Sequence, residues 1–391
     1  MANALVNTKD VRFGITGLGN MGSAHARSIL EGKVPRAALC AVTDFIPQAV
    51  ARFPDVPAFA DSEAMIRSGL IDAILITTPH FSHTSIGIAA LEAGLHVLVE
   101  KPISVHKADC ERLIAAYRPE RQIFAAMFNQ RTDPLYARLR AMIQGGELGP
   151  VRRIQWTVTN WFRTKAYYNS GGWRATWAGE GGGVLLNQCP HNLDLWQWIF
   201  GMPDKVRAFA RTGRYHNIEV EDDVTAYFEY RDGAHGVFIT STGEAPGTNR
   251  LEVAAENGRV VMENDVLSYS RNEMPMTKFS DTAAGGFDRP KTTEISLPFK
   301  ERGTQHNGIM SNFVEAILDG APLLAPATEG IYSVELANAM LLSSFENETI
   351  SLPLDSARYE SFLQGKIAES KAKPAGVVTA APADLSKSFN V

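Results

Sequence analysis

Residues 11–22 read VRFGITGLGNMG, an apolar run that ends in a glycine turn, and the following SAHARSILEG has helical spacing with Ala24, Ile29 and Leu30 turned inward. Strand, glycine turn and helix in that order open a dinucleotide-binding fold. Gly17 is placed to make the tight turn, Gly19 to let the main chain approach a pyrophosphate, and Gly22 to let helix pack closely on strand. Asn20 and Met21 lie between them at a helix N-terminus that faces the phosphate charge. A second apolar run, residues 37–43, ends at Asp44, 22 positions after Gly22. A carboxylate there accepts from both ribose hydroxyls and repels a 2′-phosphate, so the pattern selects NAD over NADP.

Outward from this unit, the runs AILI (73–76), HVLV (96–99) and IFAAM (123–127) alternate with helical patterns near 61–68, 83–93 and 106–117. That alternation predicts a parallel, doubly wound sheet. Ligands of such sheets bind beyond the C-terminal strand ends. Thr77, Thr78, Pro79 and His80, with His83 after them, Glu100 and Lys101, and Asn129 and Arg131 are therefore assigned to the cofactor crevice. Pro102 biases Lys101 toward an extended backbone that aims its ammonium out of the strand, where Glu100 can hold it. A lysine so placed can bond a substrate hydroxyl and lower its proton affinity.

Residues 181–201, GGGVLLNQCPHNLDLWQWIFG, bring Asn187, His191, Asp194 and Trp198 to one helical face at spacings of four, three and four. Pro190 either starts this helix near Cys189 or kinks it there. Together with the glycine motif, TTPHFSH (77–83) and AGLHVLVEKPIS (93–104), this stretch resembles the Gfo/Idh/MocA family of nicotinamide-dependent oxidoreductases. The resemblance extends to about residue 360. It implies a sugar or polyol substrate, with catalytic roles for Lys101 and His191. Asn187 stands where the family usually has Asp, and an amide can take neither the proton nor the charge. Asn187 is expected to orient His191 or to bind a substrate hydroxyl, and Asp194 is assigned to substrate as well.

After Arg131 a helix closed by glycines leads into VRRIQWTV, KVRAFARTG, DVTAYFEY, HGVFITST, RLEVAAE and GRVVMEN, with tight turns between several of them. Such a series predicts a large, mainly antiparallel sheet. Helices near 305–319 and 328–345 complete it. The predicted architecture is an α/β Rossmann domain (1–131), an α+β substrate and oligomerisation domain with an open-faced sheet (132–363), and an arm or disordered tail (364–391). The open face is expected to build a homodimer or homotetramer.

Residues 160–180, NWFRTKAYYNSGGWRATWAGE, form a long aromatic loop. Loops of this length in compact domains tend to carry function. Trp161, Tyr168 and Trp173 can stack on sugar faces, while Arg163 and Arg174 serve hydroxyls. His306, just before a helix, joins the same list of substrate residues.

Composition narrows the classes. The net charge of -5 over 391 residues, with no basic run, argues against nucleic acid. Three widely spaced cysteines suit reduced thiols and imply no metal. The sequence shows no signal peptide or membrane-length apolar run, so a cytoplasmic protein is expected. The leading reading is hydride transfer between a carbinol of a sugar, glycoside or polyol and NAD. Two others stand beside it: a redox-neutral epimerisation or elimination with tightly held NAD, and a non-catalytic NAD sensor or partner-binding protein.

Overall fold

Strands β1 (Val11–Thr16), β2 (Ala37–Thr43), β3 (Ala58–Phe59), β4 (Ala73–Ile76), β5 (His96–Val99) and β6 (Phe124–Ala126) pair in the order β3-β2-β1-β4-β5-β6, all parallel. This is a computed structural model, and it describes residues 10–170 and 172–371. Phe13, Ile15, Ile74, Leu75, Ile76 and Val97 through Val99 are all fully buried. Unbroken apolar runs of this kind fit strands covered on both faces by helices. Strand order reverses between β1 and β4, which opens a crevice at their C-terminal ends.

The second sheet holds β7 (Val151–Val158), β8 (Lys205–Thr212), β9 (Glu221–Glu229), β10 (His235–Ser241), β11 (Asn249–Ala255), β12 (Gly258–Glu263), β13 (Val266–Asn272), β14 (Thr292–Pro298) and β15 (Ile350–Ser351). Their order is β14-β13-β12-β11-β7-β10-β9-β8-β15, antiparallel except for the parallel pair β7 and β10. Alternation decides the faces: in β9, Val224, Ala226 and Phe228 are buried while Thr225, Tyr227 and Glu229 are exposed. On the inner face Trp196 packs against Trp156, Phe228 and Phe238. The last three strands escaped the sequence reading. The two-residue β15 is too short to show a period, β14 has no buried residue, and β13 sets Leu267 and Tyr269 inward within an otherwise largely polar sequence.

Two segments lie apart from where linear reading put them. Helix Gln305–Asp319 buries Ile309, Met310, Phe313 and Val314 in the core of the first sheet, with Phe313 at 5.9 Å from Phe13. The chain thus returns to its N-terminal half before finishing the second sheet. Helix Ser356–Glu369 continues through the start of the expected tail, burying Tyr359 and Leu363. The rest of that tail, residues 372–391, is outside the described residues.

Candidate active site

The glycine turn is shaped by contact. Gly17 has φ of +87°, and a Cβ there would meet the main chain of Thr77 and Thr78 at 2.8 Å. At Gly22 a Cβ would sit 1.9 Å from the Gly17 carbonyl, whereas at Gly19 it would meet nothing within 4 Å. The turn is therefore closed on its protein side and open on the other. Helix α1 (Asn20–Leu30) starts there, presenting main-chain N–H groups that lack helical partners. Asp44 closes β2, and its carboxylate accepts from the N–H of Leu18 at 2.5 Å and of Ile46 at 2.8 Å. Among the described residues the buried oxygens Thr78 Oγ1 and Asn129 Oδ1, at the ends of β4 and β6, have no hydrogen-bond partner. A glycine cradle, a pinned acid and two unsatisfied oxygens suit the phosphates and riboses of a dinucleotide.

At the end of β5, Glu100 is buried and its carboxylate lies 2.7 Å from His25 Nε2, on α1. Burial alone would raise the Glu100 pKa, but the bond and charge of His25 outweigh it and bring it to about 2. Glu100 is thus hydrogen-bonded to His25; it accepts from the Lys101 N–H at 3.2 Å and meets the Lys101 ammonium through charge, not through a side-chain bond. The Lys101–Pro102 peptide is cis. Lys101 Nζ donates to the main-chain carbonyl of Asn187 at 2.8 Å, across 86 residues of sequence. Burial lowers the Lys101 pKa; Glu100 opposes this, while Arg163 and Arg174 add to it.

The helical face expected around Asn187 is broken. One short helix, Val184–Asn187, ends at that residue, and a second, Pro190–Phe200, begins with Pro190 in its first turn and Cys189 as its cap. His191, 4% exposed, has no hydrogen-bond partner at Nδ1 among the described residues and meets Phe128 edge-on at 6.4 Å. Burial, then the charges of Lys101 and His306, drive its pKa well below the ordinary histidine value. A neutral ring protonated at Nε2 leaves Nδ1 as a proton acceptor. His306 lies 5.4 Å from the His25 ring, and burial lowers its pKa to about 4.

Asn187 does not orient His191. Its amide nitrogen donates to Glu180, and its oxygen accepts from Tyr167 Oη at 3.2 Å and Gln188 Nε2 at 3.2 Å. Asp194 is corrected too. Both its oxygens receive Arg131, Nε at 2.8 Å and Nη2 at 2.6 Å, with each side chain 1% exposed. Arg131 also reaches Glu329 at 2.5 Å, so neither residue is turned to a ligand. His83 is fully buried with its ring nitrogens 2.9 and 2.8 Å from the carbonyls of Pro102 and Thr78, a strut between two strand ends. Tyr168, expected to stack on substrate, is buried with its hydroxyl 2.7 Å from Thr242 Oγ1. In each case a polar group expected to meet a ligand satisfies a neighbour that burial would otherwise strand.

The rest of the aromatic loop packs against residues of both halves, Asn192 in one and His80 in the other. Trp161 Nε1 donates to Asn192 at 3.2 Å, and the guanidinium carbons of Arg163 and Arg174 lie 5.1 and 4.7 Å from the Tyr167 ring centre. Arg174 also sits 4.7 Å over Trp173, whose ring meets His80 at 5.7 Å. His25, Tyr167 and Glu180 were not among the predicted site residues. Nothing in their sequence spacing marks them, because each acts through a partner brought by the fold.

The chain matches the family profile described as oxidoreductase family, NAD-binding Rossmann fold, over residues 11–128, and that of the GFO/IDH/MocA C-terminal domain over residues 136–261. It is 26% identical to the inositol 2-dehydrogenase of Rhizobium meliloti over 360 residues, 88% of this chain and 99% of that one. The WlbA dehydrogenase of Chromobacterium violaceum, solved with NADH and UDP-GlcNAcA, is 26% identical with a TM-score of 0.77, covering 89% of this chain and 98% of its own. Its counterpart from Bordetella pertussis, with the same ligands, has a TM-score of 0.74 at 25% identity, covering 88% and 100%. Since both halves match one family in its own order, and the first brings the glycine cradle seen here, the chain belongs to the Gfo/Idh/MocA family of NAD-binding oxidoreductases.

Proposed function

We propose that this enzyme oxidises a carbinol carbon of a sugar or polyol, with Lys101 and His191 handling the hydroxyl proton. The observation that carries the reading is the pairing of a half-buried lysine at the end of β5 with a buried, neutral histidine whose Nδ1 has no hydrogen-bond partner among the described residues. NAD, when bound, supplies the hydride acceptor. Gly17, Gly19 and Gly22 would hold its pyrophosphate against α1, with Asp44 at the ribose. Lys101 Nζ donates to the carbinol oxygen and lowers its proton affinity. His191 Nδ1 then takes the hydroxyl proton while the C–H bond breaks, the hydride departs and the carbonyl forms; reduction runs the same steps backward. Trp161 and Trp173 offer faces for the apolar side of a ring. Relatives named for inositol, and neighbours holding a nucleotide sugar, support this substrate class.

The test is NADH formation by the purified enzyme against sugars, inositols, glycosides and sugar acids. Turnover of one of these classes is the expected result; NADH formation with none of them, by protein that binds NAD, refutes the reading. We also infer a homo-oligomer joined through the outer face of the second sheet, where Phe209 and Tyr227 are 58% and 41% exposed. Sedimentation equilibrium giving a monomer mass refutes that. A cytoplasmic location is supported by three cysteines that all remain thiols, and fractionation of the source cells tests it. Among the described residues no helix is long and apolar enough to cross a membrane.

A further inference from the structure

Glu180 is 2% exposed and sits where three parts of the site meet. Its Oε2 accepts from the N–H of Ala175, in the aromatic loop, at 2.6 Å, and its Oε1 accepts from the Asn187 amide. Its own carbonyl lies 3.5 Å from His80 Nδ1, in the dinucleotide half. Asn187, held this way, turns its main-chain oxygen to Lys101 and its side-chain oxygen to Tyr167. Tyr167 in turn accepts from Arg174 Nη1 at 2.9 Å and Gln188 at 3.1 Å. A chain of bonds thus runs from a buried carboxylate at the end of the aromatic loop through an amide to the lysine on one side and to Tyr167 and Arg174 on the other, and Arg174 also lies 3.9 Å from the carboxylate itself.

We propose that Glu180 is the positioning carboxylate of this active site: through Asn187 it sets the direction of Lys101 and latches the aromatic loop over the substrate. This rests on the assignment of Lys101 to the substrate hydroxyl. The neutral side chain at position 187 then follows from the position of Glu180. An Asn can donate to the carboxylate, while an Asp would place two negative oxygens in hydrogen-bond contact, and one of them would have to hold a proton. The negative charge of the site therefore stands at residue 180. Lys101 faces Glu100, Glu180, Arg163 and Arg174, with His80, His83, His191 and His306 close enough to act on it or be acted on by its charge, while Glu180 itself faces Arg174, Glu221, Tyr168 and, through its carbonyl, His80. Of these Glu100 and Glu180 favour the ammonium of Lys101, and the two arginines oppose it.

A reciprocal exchange tests this. Asn187→Asp alone should lose about tenfold or more in kcat/KM, with the loss growing toward alkaline pH as the shared proton leaves. Glu180→Gln alone should move the limb of the kcat/KM profile set by Lys101 to lower pH, because an anion that favours the ammonium is gone. The double variant Glu180→Gln/Asn187→Asp restores one carboxylate bonded to one amide and should recover to within about threefold of Glu180→Gln. NAD binding, read by fluorescence, should be unchanged in all three. An Asn187→Asp enzyme as active as the parent, a double variant no better than Asn187→Asp, or an unmoved profile in Glu180→Gln overturns the proposal. Lys101→Met separates the two levels. If it is inactive while the exchange fails, only the role of Glu180 falls; if it turns over normally, the assignment of Lys101 falls with it.

Discussion

Replacing Asp194 by Asn separates a residue that binds substrate from one that holds the fold. Spacing alone put Asp194 beside His191 on a ligand-facing surface, but in the structure it forms a two-pronged pair with Arg131, and both side chains are 1% exposed. The amide keeps the volume and one acceptor, yet turns an N–H toward the guanidinium and removes the charge. Breaking a buried pair by changing one partner costs about 3–5 kcal/mol, since a buried charge loses its counter-ion. Glu329 still reaches Arg131 from the other side and is itself 39% exposed, so the lower end, about 3 kcal/mol, is expected. At about 2–4 °C per kcal/mol for a domain of this size, Tm should fall by about 6–12 °C. Differential scanning calorimetry reads the shift, and kinetics well below the transition should show KM for the substrate within about twofold of the parent. A variant that melts with the parent but has a KM raised tenfold would return Asp194 to the substrate and refute the reasoning.

Other expectations concern chemistry and pH. NAD should bind more tightly than NADP because the Asp44 carboxylate, pinned by two N–H groups, cannot turn away from a 2′-phosphate; fluorescence titrations showing equal or tighter NADP binding count against it. Lys101→Met and His191→Ala should each lose on the order of a hundredfold in kcat while still binding NAD, and stopped-flow hydride transfer at the parent rate in either removes that residue from the mechanism. Burial raises the pKa of Glu221 to about 7 against the N–H groups of Gly183 and Leu185 that bond it. An acid whose folded pKa lies above its unfolded value stabilises most below the unfolded value, and that contribution is lost as pH rises through the folded one. The Tm of the parent relative to that of Glu221→Gln should therefore fall between roughly pH 4.5 and 7, the difference cancelling the groups the two proteins share, and parallel curves would contradict the assignment.

Much of the fold was legible because its signals are local. The order of strand, glycine turn and helix at residues 11–30, the acid after β2, the alternation in β7 to β12 and the proline that opens Pro190–Phe200 all follow from backbone sterics and period, which neighbouring residues decide by themselves. Lys101 and His191 were singled out as candidates the same way, from their places at a strand end and beside a glycine turn. Tertiary structure decided which polar groups spend their bonds on one another. Glu100 was read as the partner of Lys101 and pairs with His25, 75 residues earlier; Asp194 was read toward substrate and pairs with Arg131, 63 residues earlier. Asn187 was read toward His191 and turns to Glu180. Helix Gln305–Asp319, placed with the second sheet by order, lends its apolar face to the first. Sequence names the groups that must be satisfied once buried. Only the folded chain, where desolvation makes an unpaired charge costly and brings remote partners within 3 Å, settles which of them satisfy each other and which remain for the ligand.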